Sequence, residues 1–150
     1  ILNGVVKLSG KNVCVIGSGM TGLETSELLV SQGNKVSVIE MADKIAPGAW
    51  FQQLDDALPK LKEADTKFYT STKLEDVLPG AIKVLDTVTN TEREIPCDIV
   101  VLSMGVRPDN SLYESLKSEF GNVYAIGDCV KTGRIVNATE AAYRLATSLK

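Results

Sequence analysis

The chain has no histidine anywhere in its 150 residues. That excludes His-based catalytic triads, a histidine general base and zinc sites of the usual Cys/His kind. Cysteine is scarce as well. Cys14, Cys97 and Cys129 stand far apart and none belongs to a C-x-x-C pair. Cys14 lies inside an apolar run and Cys97 just before another, so both read as structural residues. Cys129 follows an aspartate and has no partner cysteine for redox work. Such thiols fit a reducing cytosol, and a cytoplasmic location is expected.

Positive charge is not in excess either. The net charge is −3 with both signs scattered, which gives no surface for nucleic acid or an anionic membrane. No apolar run approaches the length of a membrane span, no signal peptide is recognisable, and there is no low-complexity run or internal repeat. What remains is a globular composition, 44% apolar and 23% charged, with room for one domain of ordinary size. The chain opens at Ile1 rather than Met and reads as an excised piece of a longer protein.

The informative stretch is Val13-Cys14-Val15-Ile16-Gly17-Ser18-Gly19-Met20-Thr21-Gly22-Leu23-Glu24. A β-branched apolar run predicts a buried parallel strand. It leads into Gly-x-Gly-x-x-Gly and then a helical pattern over about Met20 to Gln32, with Gly22, Leu23, Ser26, Leu29 and Val30 on one face. Lys35 to Ile39 is a second strand ending on Glu40, about 20 positions past the glycines. This is a complete βαβ unit of the dinucleotide-binding kind. Gly17 allows the tight turn, Gly19 lets a pyrophosphate approach the backbone, and Gly22 lets the helix lie close to the sheet. The helix N-terminus, from Met20 and Thr21, offers amides to phosphate.

A carboxylate at Glu40 can accept hydrogen bonds from ribose hydroxyls and repels a 2′-phosphate. Lys44 is the only cation in the following five residues, and Asp43 opposes it. NAD is thereby favoured over NADP. FAD also carries an adenosine ribose and stays open on these grounds. Glu24 has two readings, one beside the ligand in the first helical turn and one as a carboxylate favouring the helix dipole.

Farther on, Trp50 to Glu63 predicts a helix that Pro59 should kink or split, and Thr66 to Tyr69 a third strand. Three short strands follow, about Lys73–Leu78, Ala81–Asp86 and Thr91–Ile95. They predict an antiparallel meander in place of a crossover helix. Asp98 to Ser103 predicts a fully buried strand whose end, at Gly105, falls beside the glycine loop. Taken alone, Gly105 is a plain turn glycine. Val123 to Ile126 predicts another strand closed by Gly127-Asp128, with a helix from Asn137 to Leu149. Taken alone, Asp128 is an Asx turn. The fold class expected is α/β, a Rossmann-like three-layer domain with a central parallel sheet and an antiparallel three-stranded meander.

Three segments together carry a resemblance. The stretch from Val15 to Glu24 is similar to the NAD motif of the pyridine nucleotide-disulfide oxidoreductase superfamily, Gly105 to Asn110 resembles its middle motif, and Tyr124 to Cys129 its second FAD motif. Around Ile45–Gly48 and Arg134–Ala146 the spelling resembles the C-terminal half of the 2-enoate and 2,4-dienoyl-CoA reductases. The resemblance implies an NAD(H)-binding domain over residues 1–120 and, over 121–150, the returning segment of a discontinuous FAD domain whose remainder is absent. It implies Glu24 near the nicotinamide, Glu40 on the adenosine ribose, Gly105 on the nicotinamide side and Asp128, after Gly127, on the FAD ribityl chain. The helix start at Asn137 and Ala138 would turn its amides toward the flavin.

The implied activity is hydride transfer from NADH to FAD within a larger enoate or dienoyl-CoA type reductase or an NADH oxidase. No catalytic acid, base, nucleophile or metal site is expected in this piece. The alternative is a non-enzymatic module that senses the NADH/NAD ratio. The strand at 123–126 would need cover, by docking on the NAD domain, by pairing with a second copy of the chain as a homo-oligomer, or by staying mobile.

Overall fold

The computed structural model describes residues 6–149. A four-stranded parallel sheet forms its centre, made of β1 (Asn12–Ile16), β2 (Lys35–Ile39), β3 (Lys67–Tyr69) and a later strand, Ile99–Leu102. Two helices connect the first three strands, α1 (Met20–Ser31) and α2 (Phe51–Glu63). The meander β4 (Thr72–Leu78), β5 (Ala81–Asp86), β6 (Thr91–Pro96) is antiparallel throughout and leads into β7 (Ile99–Leu102). The strand order is β3-β2-β1-β7.

Alternation along the strands sorts side chains onto the two faces of the sheet. Val13, Val15, Val36 and Val38 pack with Leu29 of α1. Cys14, Ile16 and Ile39 point the other way, where Ile82, Val84, Ile95 and Cys97 of the meander side cover them. The three layers are thus helices, parallel sheet and meander. Val15, Val38, Leu29, Ile82 and Val84 are completely buried, each contributing on the order of 1.5–3 kcal/mol of apolar burial. Both faces of β1 and β2 are covered, so both strands read as apolar runs.

Several expectations change in detail. Pro59 does not split α2, which runs unbroken through it with Trp50 as N-cap. Pro59 is exposed, so the carbonyl that loses its helical partner lies on the solvent side. β7 is not fully buried, and Leu102 is 61% exposed. Among the described strands it is an edge of the sheet, paired with β1 alone.

The chain divides into two compact units between Gly105 and Val106. The second unit contains α3 (Ser111–Leu116), which sequence reasoning did not anticipate, a short 3-10 turn at Gly127–Cys129 and α4 (Ile135–Ser148). Among its described residues none is buried, and Leu112, Tyr124, Val130, Ile135 and Tyr143 are all more than half exposed. The strand expected at 123–126 is absent. Ile126 has extended dihedrals (φ −142°, ψ 162°), but no strand of the described residues pairs with the segment. A strand is completed by a partner's ladder, and local β preference does not replace it. The last helix starts at Ile135 rather than Asn137, because Asn137 is its third residue and its Oδ1 accepts the Arg134 N–H.

Candidate functional site

The glycine turn is where β1, α1, β2 and β7 meet. Gly17 has φ +99°, and a Cβ placed on it would lie 2.2 Å from the Ser103 carbonyl oxygen at the end of β7. That oxygen cannot retreat easily, since the Ser103 N–H donates to Ile16 O at 2.7 Å. A Cβ on Gly22 would lie 2.1 Å from Gly17 O, with Ser103 Oγ at 3.3 Å. Gly22 therefore lets α1 close onto the turn itself more than onto the sheet. Gly19 differs from both. Its φ is an ordinary −54°, and a Cβ there would meet nothing within 4 Å. The fold requires glycine at 17 and 22 and makes no demand at 19.

Gly19 is also the N-cap of α1, and it supplies no capping side chain. The first amides of the helix are left toward open space, with the positive end of the helix dipole behind them. The turn opens into a cleft of about 470 Å³, a size that suits a small-molecule ligand. Gly17, Gly19, Glu40 and Gly105 all line it, together with Met41, Pro47, Thr72, Lys73, Leu74 and Met104. Gly105 has φ +79° and open space beside it. Gly17, Gly19, Glu40 and Gly105 follow the C-terminal ends of β1, β2 and β7, the side of an open α/β sheet where ligands bind, while Pro47 comes from the loop before α2 and Thr72, Lys73 and Leu74 from the start of β4.

Glu40 is tightly held. Its Oε2 accepts the Ser18 N–H at 2.9 Å and the Ser18 hydroxyl at 2.6 Å, and its Oε1 accepts the Ala42 N–H at 2.8 Å. Its backbone is pinned between Tyr69 O and the Thr72 N–H. Partial burial by itself pushes the carboxyl up. The Ser18 hydroxyl and the Ala42, Ser18 and Met41 amides outweigh that and hold it below the ordinary carboxylate value. A carboxylate has about four acceptor positions, so at most one on Oε1 remains for a ligand hydroxyl.

The other expected site residues are scattered. Met20 is half-buried against the cluster of Leu23, Ala46 and Leu61. Thr21 is exposed, and its carbonyl accepts Thr25 Oγ1. Glu24 lies beyond the first turn of α1, because the helix begins at Met20, and it is exposed. The dipole reading loses its basis there, since that interaction fades past the first turn.

In the second unit Gly127 and Asn137 line a separate cavity of about 420 Å³ with Lys131 and Thr132. Asp128 is exposed beside it in sequence, and its Oδ1 accepts the Gly133 N–H at 3.1 Å. Ala138 is half-buried, with its Cβ 3.6 Å from where a Gly127 Cβ would stand.

Sequence reasoning missed Ser18 and Lys73. Ser18 occupies a variable position of the glycine motif and gave no signal. It is completely buried. Lys73, ion-paired with Glu75 at 2.9 Å, reaches the cleft from β4, far from Glu40 in sequence. No helix among the described residues is long and apolar enough to cross a membrane, and no metal-binding cluster occurs among them.

Comparison with known proteins places this geometry. The family model described as pyridine nucleotide-disulphide oxidoreductase matches residues 3–144. A bilirubin reductase of Mediterraneibacter gnavus is 33% identical over 95% of this chain and 22% of its own length. An NADH oxidase of Thermoanaerobacter brockii is 27% identical over 91% of this chain and 21% of its own. The structure of a 2-naphthoyl-CoA reductase in complex with 2-naphthoyl-CoA shares the fold with a TM-score of 0.77 at 23% identity, over 99% of this chain and 22% of that one. The chain thus spans about a fifth of the length of these proteins. A Rossmann-like sheet with its glycine turn, an antiparallel meander as third layer and a match over nearly the whole chain make it a member of the pyridine nucleotide-disulphide oxidoreductase family.

Proposed function

We propose that this chain is the NADH-binding part of a larger FAD-dependent reductase. The observation that carries the reading is the difference among the three glycines. Gly17 and Gly22 are consumed by backbone contacts, while Gly19 faces open space at an uncapped helix N-terminus beside the Glu40 carboxylate. A pyrophosphate fits that space and a ribose hydroxyl fits the remaining position on Glu40. In such enzymes NADH supplies a hydride and FAD accepts it.

The residues of this chain bind and orient. The amides around Gly19, Met20 and Thr21 hold phosphate, Gly22 keeps α1 close, and Glu40 holds the adenosine ribose. Gly105 admits the nicotinamide side and Glu24 lies toward it. Residues 1–120 form the NADH-binding domain. Residues 121–150 return to the FAD domain, with Asp128 after Gly127 on the ribityl chain and the first turn of α4, through Asn137 and Ala138, toward the flavin. The largely exposed apolar side chains of the second unit support this, since they are what a segment shows without the rest of its domain. The name of the bilirubin reductase supports a reductase activity for the whole enzyme, and reduction of an activated double bond is the form the sequence resemblance implies. The free cysteines Cys14, Cys97 and Cys129 support a reducing, cytoplasmic location for the whole protein.

Calorimetric titration of the chain with NADH and NADPH tests the assignment. NADH should bind more tightly, because Glu40 would oppose a 2′-phosphate, and Glu40→Ala should narrow the difference. Equal or reversed affinities in the unaltered chain would sink it.

A further inference from the structure

We infer that Ser18 is the positioning residue for nucleotide selection, one buried hydroxyl that sets the Glu40 carboxylate and ties it to the loop after β2. The inference rests on the reading of Glu40 as the ribose-binding residue. It adds a residue whose side chain needs no contact with the ligand.

The geometry is specific. Ser18 is completely buried, and its side chain has one donor and two acceptor positions. The donor is used on Glu40 Oε2 at 2.6 Å, and the oxygen accepts the Ala46 N–H at 2.8 Å. The Ser18 amide adds a second bond to the same carboxylate oxygen. Three segments therefore meet on one side chain: the glycine turn, the end of β2 and the loop leading to α2.

The loop end is itself constrained. Ala46 is 3% exposed and has φ +47°, a left-handed conformation uncommon for a residue with a Cβ. Such a residue persists where its surroundings hold it, and the Ser18 hydroxyl is the partner of its amide. Pro47, next along, lines the cleft. The hydroxyl thus fixes one wall of the cleft and, through Glu40, the group that tells a ribose hydroxyl from a 2′-phosphate. Without it Glu40 keeps only backbone partners, the Ser18, Ala42 and Met41 amides, and its carboxylate is held less firmly.

The test is the ratio of NADH to NADPH affinity in the full chain, with folding followed by circular dichroism. Ser18→Ala should weaken NADH about 10-fold and NADPH less than about 2-fold, so that the preference collapses. The pH below which the preference is lost should rise, since the hydroxyl is one of the groups holding the Glu40 carboxyl down. In a Glu40→Ala background the same substitution should leave the ratio unmoved. Should Ser18→Ala fail to fold, Ser18→Cys, with its weaker donor, should give an intermediate ratio. Equal loss of both nucleotides, an unchanged ratio, or a further change without Glu40 would each overturn the inference. A ratio that Glu40→Ala does not move removes the ribose reading itself. A ratio that Glu40→Ala moves and Ser18→Ala does not removes only the role of Ser18.

Discussion

A methyl group placed in turn on the three glycines separates those that serve the fold from the one that serves a ligand. At Gly17 two penalties combine. A left-handed backbone costs an L-residue roughly 1–2 kcal/mol, here at φ +99°. The new Cβ would also sit 2.2 Å from Ser103 O and 2.9 Å from Ser103 C, backbone atoms fixed by the bond from Ser103 N–H to Ile16 O. Relieving that overlap means parting β1 from β7, for which overpacking costs of about 1–3 kcal/mol are a guide. Gly17→Ala should therefore destabilise by roughly 2–5 kcal/mol, a large share of the about 5–15 kcal/mol that holds a domain together. Gly22→Ala meets Gly17 O at 2.1 Å and should be comparably damaging.

Gly19→Ala should behave in the opposite way. The backbone already suits an L-residue and the space beside it is open. The fold should be unchanged or gain about 0.4–1 kcal/mol from a less flexible unfolded chain. Yet the methyl enters the space where a pyrophosphate would press against the turn, and Gly19→Val should abolish NADH binding altogether. Urea unfolding followed by circular dichroism gives the stabilities, and calorimetric titration gives the affinities. A Gly19→Val chain that binds NADH normally would reduce the motif to a structural turn. A Gly17→Ala chain as stable as the parent would show that the close approach of β7 is not the reason for glycine there.

Two further outcomes are expected. The chain purified alone should carry no tightly bound FAD, since one aspartate and one helix start do not enclose a cofactor of that size; a yellow preparation with stoichiometric FAD on denaturation would overturn the division proposed at residue 120. In the native protein only Cys129, which is partly exposed, should react readily with iodoacetamide, because burial and then the neighbouring Cys97 thiol push the Cys14 thiol up to about 12 and Cys97 is itself buried. Peptide mapping that finds Cys14 alkylated as fast as Cys129 would contradict that packing.

Local chemistry was enough to recognise much of this protein. The order from β1 through α1 to β2 follows from a strand-length apolar run, three glycines and a helical period, all within thirty residues. The meander follows from short β-rich segments separated by Pro79-Gly80 and by the turn before Asn90, whose φ values of +78° at Gly80 and +55° at Asn90 are what those residues tolerate. Glu40 could be singled out because its position at a strand end is a matter of counting. The tertiary structure alone decided what these residues touch. It made β7 an edge, left Val123–Ile126 without a ladder, and carried α2 through Pro59. It showed Gly17 and Gly22 filled against backbone while Gly19 stands open. It brought Lys73 from β4 to the cleft and joined Ser18, Glu40 and Ala46 around one hydroxyl. Periodicity reports which face of an element a side chain takes, because that depends on neighbours a few residues away. A hydrogen bond between residues 18 and 46 depends on how the sheet and its loops pack, and no local pattern encodes that distance.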